Sequence, residues 1–459
     1  MNNKRVMGKI GLAVVILAGA AFARKPNYDE SKVGPYTLED PLVFADGTRL
    51  TSPDQWPARR AEIVRIFERE MYGRTPPPPE AVVTEMFEEG VTLDGLGIRR
   101  QYHMWFRKDK SGPCVDWILF LPNRIKGLAP KFEKGRPVCE NDAKVPVVLF
   151  LNYRGNHELA TDPEIPVMKG WSRNNGKTGI TDHKVPESTR ARGRRTDTSS
   201  PFPLETILAR GYAVMSACYC EISPDPEAEN GMTAKEMQDR LAYTGVFELW
   251  GPRDPSATDD VTALGAWAWG LSRGLDLAER IPELDARRNV ATGCSRLAKT
   301  PLLACSRDER FAVCVPNQTG GGGCPLAKRD FGENVSTEMK AFTHWYCKAY
   351  GKYVDNEQAM NFDQHLLLAS IAPRHLLVQG FNSGWFDTKG EWLACRAASP
   401  AWEFLGRPGL PKGDFPDNFS TAAIGPSLGY VRRGGNHGIS GYDWNWTLDF
   451  ADRAFGIRK

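Results

Sequence analysis

RNVATGCSRLAK, residues 288–299, is the stretch whose reading decides the fold. Residues 288–292 read as a short strand that runs straight into Gly293-Cys294-Ser295, and residues 297–305 read as a helix. A serine on a sharp turn between strand and helix is raised above the sheet, the arrangement of a nucleophile elbow. The helix beginning at that serine offers backbone N–H groups to a developing oxyanion. The usual elbow is G-x-S-x-G; Gly293 is present, but Leu297 stands at the second glycine. The competing reading is a serine that merely caps an ordinary helix.

Outward from this turn, strand-like and helix-like segments alternate. Residues 147–151 (VVLFL) form a continuous apolar run and read as a buried strand, closed by a loop at 152–157. A helix closes at 207–210, a strand follows at 212–217, and a helix at 262–277. Beyond the turn come strands at 311–315 and 375–379 and a last helix at 443–455. Ahead of these lie a helix at 56–72 with Ile63, Ile66, Phe67 and Met71 at helical spacing, a stiff linker at 76–79 and a strand at 117–121. The pattern predicts an α/β-hydrolase fold, a three-layer sandwich around a mostly parallel sheet.

Composition narrows the function. With 25% charged and 41% hydrophobic residues the chain reads as an ordinary globular protein, and its formal net charge of +3 gives no global field for nucleic acid. The basic run Arg190, Arg192, Arg194 and Arg195 reads as a solvated loop. Lys4, Arg5 and Lys9 precede an apolar run at 10–20, and Ala21-Phe22-Ala23 fits small-x-small cleavage. The expectation is a signal peptide at 1–23, a secreted or periplasmic protein with no stable membrane association after cleavage, and a single domain over 24–459. The ten cysteines show no dense framework and read as mostly buried free thiols.

A serine nucleophile needs a base. Of seven histidines, His437 in Gly434-Gly435-Asn436-His437-Gly438 falls late in the chain, just before the last helix, where this fold places it. His344, His365 and His375 read better as packing or capping residues. The orienting acid is harder to find: neither 315–320 nor 381–384 carries a carboxylate, and the nearest beyond is Asp387. The sequence shows no H-E-x-x-H and no zinc-type Cys/His spacing, so no metal and no cofactor is expected. Residues 320–323, four glycines without a following Lys-Ser/Thr, read as a tight turn near the active site.

These residues resemble the glucuronoyl esterases, carbohydrate esterase family 15. The likeness spans nearly the whole chain after residue 24. It runs through Tyr72-Gly73-Arg74-Thr75-Pro76, Arg154-Gly155-Asn156-His157, Trp267-Ala268-Trp269-Gly270, Phe331-Gly332-Glu333, Phe362-Asp363-Gln364-His365 and Ala372-Pro373-Arg374. It ends on Tyr442-Asp443-Trp444 after His437. The family motif G-C/H-S-R-x-G-K stands here as Gly293-Cys294-Ser295-Arg296-Leu297-Ala298-Lys299, with Ala298 for glycine.

The resemblance implies an esterase that cleaves glucuronic acid branches of xylan from lignin alcohols without a cofactor. It implies Ser295 as nucleophile, His437 as base and Arg296 on the oxyanion. Lys299, Glu333 and Trp385 would lie against the sugar, and Gln318 is counted with these substrate-facing residues. The family's two acid positions hold Gln318 and Ser383 here. Either Asp387, or another acid from a loop, serves His437, or a Ser–His pair works with Gln318 orienting the imidazole. Two alternatives follow: an impaired relative that binds uronic-acid polysaccharide, and an acetyl esterase of the same fold.

Overall fold

Val145–Asn152 is buried along its whole length, so both faces of this strand must be covered, and it takes the middle of a sheet. The computed structural model describes residues 25–123, 132–133, 136–137, 144–190, 202–229, 232–254, 256–382, 385–418 and 422–457. The expected signal segment 1–23, Arg192, Arg194, Arg195 and Ser383 lie outside the described residues.

The main sheet has ten strands: β1 (Val83–Thr92), β2 (Gly97–Trp105), β3 (Cys114–Pro122), β4 (Val145–Asn152), β5 (Ala213–Cys218), β6 (Leu284–Cys294), β7 (Val313–Asn317), β8 (His375–Phe381), β9 (Ala423–Ile424) and β10 (Leu428–Arg433). Their spatial order is β1-β2-β3-β5-β4-β6-β7-β8-β10-β9. Strands β5, β4, β6, β7, β8 and β10 run parallel, and antiparallel strands close both edges. This is the α/β-hydrolase fold expected from the sequence.

The helices that position the site are α1 (Trp56–Phe67), α2 (Ala263–Ala278), α3 (Arg296–Arg307), α4 (Thr388–Phe404) and α5 (Gly441–Ala454). α2 is apolar around nearly its whole circumference and is buried accordingly, packing on α3. α5 buries Trp444, Leu448, Phe450 and Ala451 in the second core layer, with Val148, Val290 and Val315 from the sheet. Two apolar cores, one on each face, make the three layers.

Several elements depart from the sequence reading. The helix expected over 56–72 ends at Phe67 and continues as a π-helical turn over Glu68–Tyr72. β1 was not foreseen because it is an edge strand whose Glu85, Met86 and Phe87 face solvent, so burial imposes no alternation on it. α4 was hidden by Gly390 and Pro400 inside its span. The nine described cysteines are all unpaired, and all but Cys114 and Cys294 are buried. Among the described residues no helix is long and apolar enough to cross a membrane.

Candidate active site

Ser295 occupies the turn between β6 and α3 with φ 60° and ψ −132°. A non-glycine residue at positive φ is strained and persists only where its surroundings hold it. Two features hold it here. The Ser295 N–H donates to Asn317 O on β7 (3.0 Å), and the chain turns so tightly that a Cβ on Gly293 would lie 1.9 Å from Leu297 O. Gly293 is therefore required by close approach. The second glycine of the motif is not, since Ala298 is accommodated fully buried.

The register of β6, β7 and β8 brings the next group alongside. Cys294 pairs with Asn317, and Asn317 with Gln379, so Gln318 leaves β7 beside the serine turn. Gln318 is itself at φ 56° and fully buried. Its Oε1 accepts from His437 Nδ1 (2.9 Å) and from the Gly438 N–H (2.9 Å), while its Nε2 donates to Gly438 O (3.1 Å). These last two bonds fix which end of the amide faces the imidazole. The oxygen does, so Nδ1 carries the hydrogen and Nε2 keeps its lone pair.

His437 lies on the loop between β10 and α5. Arg433, anchored on Asp443 Oδ2 (2.8 Å), donates to the carbonyls of Gly434 (2.7 Å), Asn436 (3.1 Å) and Gly438, which stiffens this glycine-rich loop. As a residue His437 stays exposed, but its ring packs against Phe381 and Phe386, with centroids at 5.4 and 5.2 Å. That desolvation, followed by the cations Lys299, Arg296 and Arg433, pushes the imidazole down to about 4. Among the described residues no carboxylate opposes them.

This corrects the expectation for Asp387. Its Oδ2 accepts from Arg329 Nε (2.7 Å) and its Oδ1 from the Gly390 N–H (2.8 Å), so it caps α4 and neutralises a buried guanidinium. Both oxygens are committed there, and His437 Nδ1 is held by an amide. The placing of Gln318 among substrate-facing residues is corrected too, because both ends of its buried amide are spent on the His437 loop.

Arg296 begins α3 immediately after the serine. Its guanidinium pairs with Asp225 and lies over the rings of Trp345 (5.0 Å) and Phe342 (5.5 Å). Asp225 is a buried hub: it also accepts from His344 Nε2 (2.8 Å), Trp345 Nε1 (2.8 Å) and Tyr219 OH (3.1 Å). Burial works to raise its carboxyl, but Arg296 and then His344 hold it well below the usual range. The sequence reading missed Asp225 and set His344 aside as packing. The two are distant in the chain and belong to no motif, so only the folded chain joins them to Arg296.

One turn along α3, Lys299 is buried, with Nζ 3.6 Å from Glu338 Oε1 and 5.1 Å from the Trp345 ring centre. Glu333 accepts from the Gly321 N–H (3.0 Å). Burial raises both glutamates, Glu338 to about 7, with Lys299 opposing in each case. The glycine turn at 320–323 makes room for them: a Cβ on Gly320 would meet Glu333 Oε2 at 2.2 Å, and one on Gly322 would meet Glu338 Oε2 at 2.4 Å. Trp385 is tied to this group by the Glu333 N–H, which donates to its carbonyl (3.2 Å). Trp385 is 58% exposed as a residue, which rules out a core role and leaves an apolar surface beside the acids. The structure thus gathers Lys299, Glu333 and Trp385 near the Ser295 turn, together with Glu338, which the sequence reading did not single out.

A strained serine at this point of this sheet order, with a histidine loop arriving from the last long strand, belongs to the α/β-hydrolases. The comparisons carry this further. The family model described as "Glucuronyl esterase, fungi" matches residues 229–406. Carbohydrate esterase MZ0003, from an unknown prokaryotic organism, is 34% identical over 93% of this chain and 91% of its own. The 4-O-methyl-glucuronoyl methylesterase of Podospora anserina is 23% identical over 84% of this chain and 63% of its own. Among solved structures, the glucuronoyl esterase from Solibacter usitatus superposes with a TM-score of 0.80 at 32% identity, covering 93% of this chain and 100% of that one. A promiscuous CE15 esterase from a marine bacterial metagenome gives 0.79 at 33%, covering 94% and 100%. The chain belongs to the glucuronoyl esterases, carbohydrate esterase family 15, and is a carboxylic ester hydrolase.

Proposed function

We propose that the protein cleaves esters of the glucuronic acid branches of xylan through an acyl-enzyme on Ser295. The observation that supports this most is the Ser295 turn, where a half-buried hydroxyl follows a parallel strand and opens a helix. Ser295 Oγ attacks the uronate carbonyl while His437 Nε2 takes its proton. Arg296 and a backbone N–H stabilise the oxyanion, and collapse expels the alcohol with the proton returned from His437. Water, activated by the same imidazole, then releases the glucuronate. Lys299 and Glu333 supply polar contacts to the sugar, and the exposed Trp385 ring offers it an apolar face. Gln318 takes the place of the acid, fixing the imidazole tautomer without adding charge. Residues 1–23 direct export and are then cleaved, leaving one domain over residues 24–459 that acts secreted or in the periplasm.

Purified protein is expected to hydrolyse benzyl glucuronate with a higher kcat/KM than a benzyl or nitrophenyl acetate. A preference for the acetyl esters would select an acetyl esterase. Saturable binding of glucuronoxylan without turnover of either ester would select an impaired, polysaccharide-binding relative.

Asp225 acts as a positioning residue for Arg296. Asp225→Asn leaves a buried guanidinium without its counter-charge, and such losses cost about 3–5 kcal/mol of stability. A kcat loss of about 10- to 100-fold, with a smaller change in KM, is expected if the oxyanion contact is what suffers. Steady-state kinetics beside a thermal melt of the same variant checks both parts. Unchanged kcat in a folded variant would show that Asp225 serves stability alone.

A further inference from the structure

Side chains two apart on a strand share a face, so Cys114 and Asp116 on β3 point the same way. The antiparallel register sets His103 of β2 directly opposite Asp116, and Trp105 opposite Cys114. The result is a compact cluster away from the serine turn. His103 Nδ1 lies 2.6 Å from Asp116 Oδ1, and Cys114 Sγ lies 3.9 Å from the same oxygen. One nitrogen, one sulfur and one oxygen, all within 4.8 Å of one another, therefore converge on a half-exposed point of the sheet. We propose that His103, Cys114 and Asp116 bind a divalent transition-metal ion of the zinc class.

Three features carry this beyond a chance cluster. First, the donor set is mixed. An imidazole with a thiolate selects borderline-soft zinc or cobalt over magnesium and calcium, which want oxygen alone. Second, the spacing suits the ion. Tetrahedral coordination at about 2.0–2.3 Å places donors roughly 3.3–3.8 Å apart, which the Sγ–Oδ1 separation nearly meets and the Nδ1–Oδ1 pair reaches by opening about an ångström. Third, the site is framed and short of positive charge. The Phe87 ring stacks on His103 at 4.1 Å and Trp105 lies 5.4 Å away, which restricts the imidazole. Behind Asp116, Glu221 Oε2 accepts the Asp116 N–H (3.4 Å). Among the described residues no lysine or arginine pairs with Asp116 or Glu221, and Lys110, the nearby cation, is spent on Glu85 (2.6 Å). Binding would release the Cys114 thiol proton to solvent and leave a fourth position for water. Linear spacing gave no hint of this site because its ligands meet across a strand pair.

The test is a cobalt titration of the chelator-treated full-length protein. One equivalent of Co2+ should bring up a near-ultraviolet thiolate-to-cobalt band, displaced by Zn2+. Cys114→Ser should abolish that band, and His103→Ala should weaken Co2+ binding by at least about tenfold. Cys294→Ser, which changes the other half-buried described thiol, should keep the band, and circular dichroism checks that each variant is folded. Absence of a stoichiometric band, or a band that survives Cys114→Ser, would overturn the proposal. Neither readout depends on ester hydrolysis.

Discussion

Gln318→Glu is expected to raise kcat on benzyl glucuronate by about 10- to 1000-fold, because it places a charge where the imidazole has only a dipole. In a serine protease, exchanging the triad acid for its amide costs about 10⁴-fold, and part of that loss is a wrong imidazole tautomer. Here the two bonds to Gly438 already turn the amide oxygen toward Nδ1, so the tautomer is right and only the electrostatic part remains to be gained. An opposite charge at such a distance moves a pKa by about 1–3 units. The His437 imidazole is pushed down to about 4 by desolvation against its aromatic neighbours and by Lys299, Arg296 and Arg433. The base works when deprotonated, so activity is present above this pKa and lost as pH falls through it. The wild-type acid limb should therefore lie near pH 4, and Gln318→Glu should move it upward. The Gly438 carbonyl that loses the Gln318 Nε2 donor keeps Arg433. A pH–rate profile of both proteins decides the matter. An unmoved acid limb would mean that residue 318 does not govern the imidazole.

Ser295→Ala should lower kcat/KM on the same ester by at least about 10³-fold, leaving only what the oxyanion donors and binding supply. The more informative variant combines the two changes. Residues that act as one unit are strongly non-additive, so once Ser295 is gone the gain from Gln318→Glu should vanish. A gain that persisted in the double variant would point to a nucleophile other than Ser295. Binding of glucuronate, by contrast, should survive Ser295→Ala, because Lys299, Glu333 and Trp385 lie outside the elbow. That contrast separates a failed nucleophile from a failed fold.

The sheet could be read from the chain because its central strands are apolar on both faces and leave no other place to go. Val145–Asn152 and Ala213–Cys218 announce themselves in this way. The serine turn was equally plain, since Gly293 followed by Cys294-Ser295 marks a tight approach of strand to helix. Arg296 and Lys299 came from the resemblance to the family motif, and for Lys299 helical spacing agrees, since one turn beyond Ser295 it faces the same side of the helix. The edge strand β1 escaped notice because solvent on one side removes the hydrophobic pattern, β2 because the buried polar residues Arg99 and Gln101 interrupt its apolar run, and α4 because Pro400 and Gly390 argue locally against a helix that tertiary packing sustains.

What the sequence determined alone is thus the architecture, the elbow serine and the late histidine, each written in local periodicity or in one turn. Tertiary structure alone decided who stands behind them. Asp387 looked available in the chain, but folding commits it to Arg329 and the start of α4, while strand register delivers Gln318 to His437 instead. In the same way Asp225 reaches Arg296 from 71 residues away, and Glu338 reaches Lys299 from another helix. Partners of a charge are chosen by proximity in a medium of low dielectric, and proximity between distant segments has no periodicity that a linear sequence can carry.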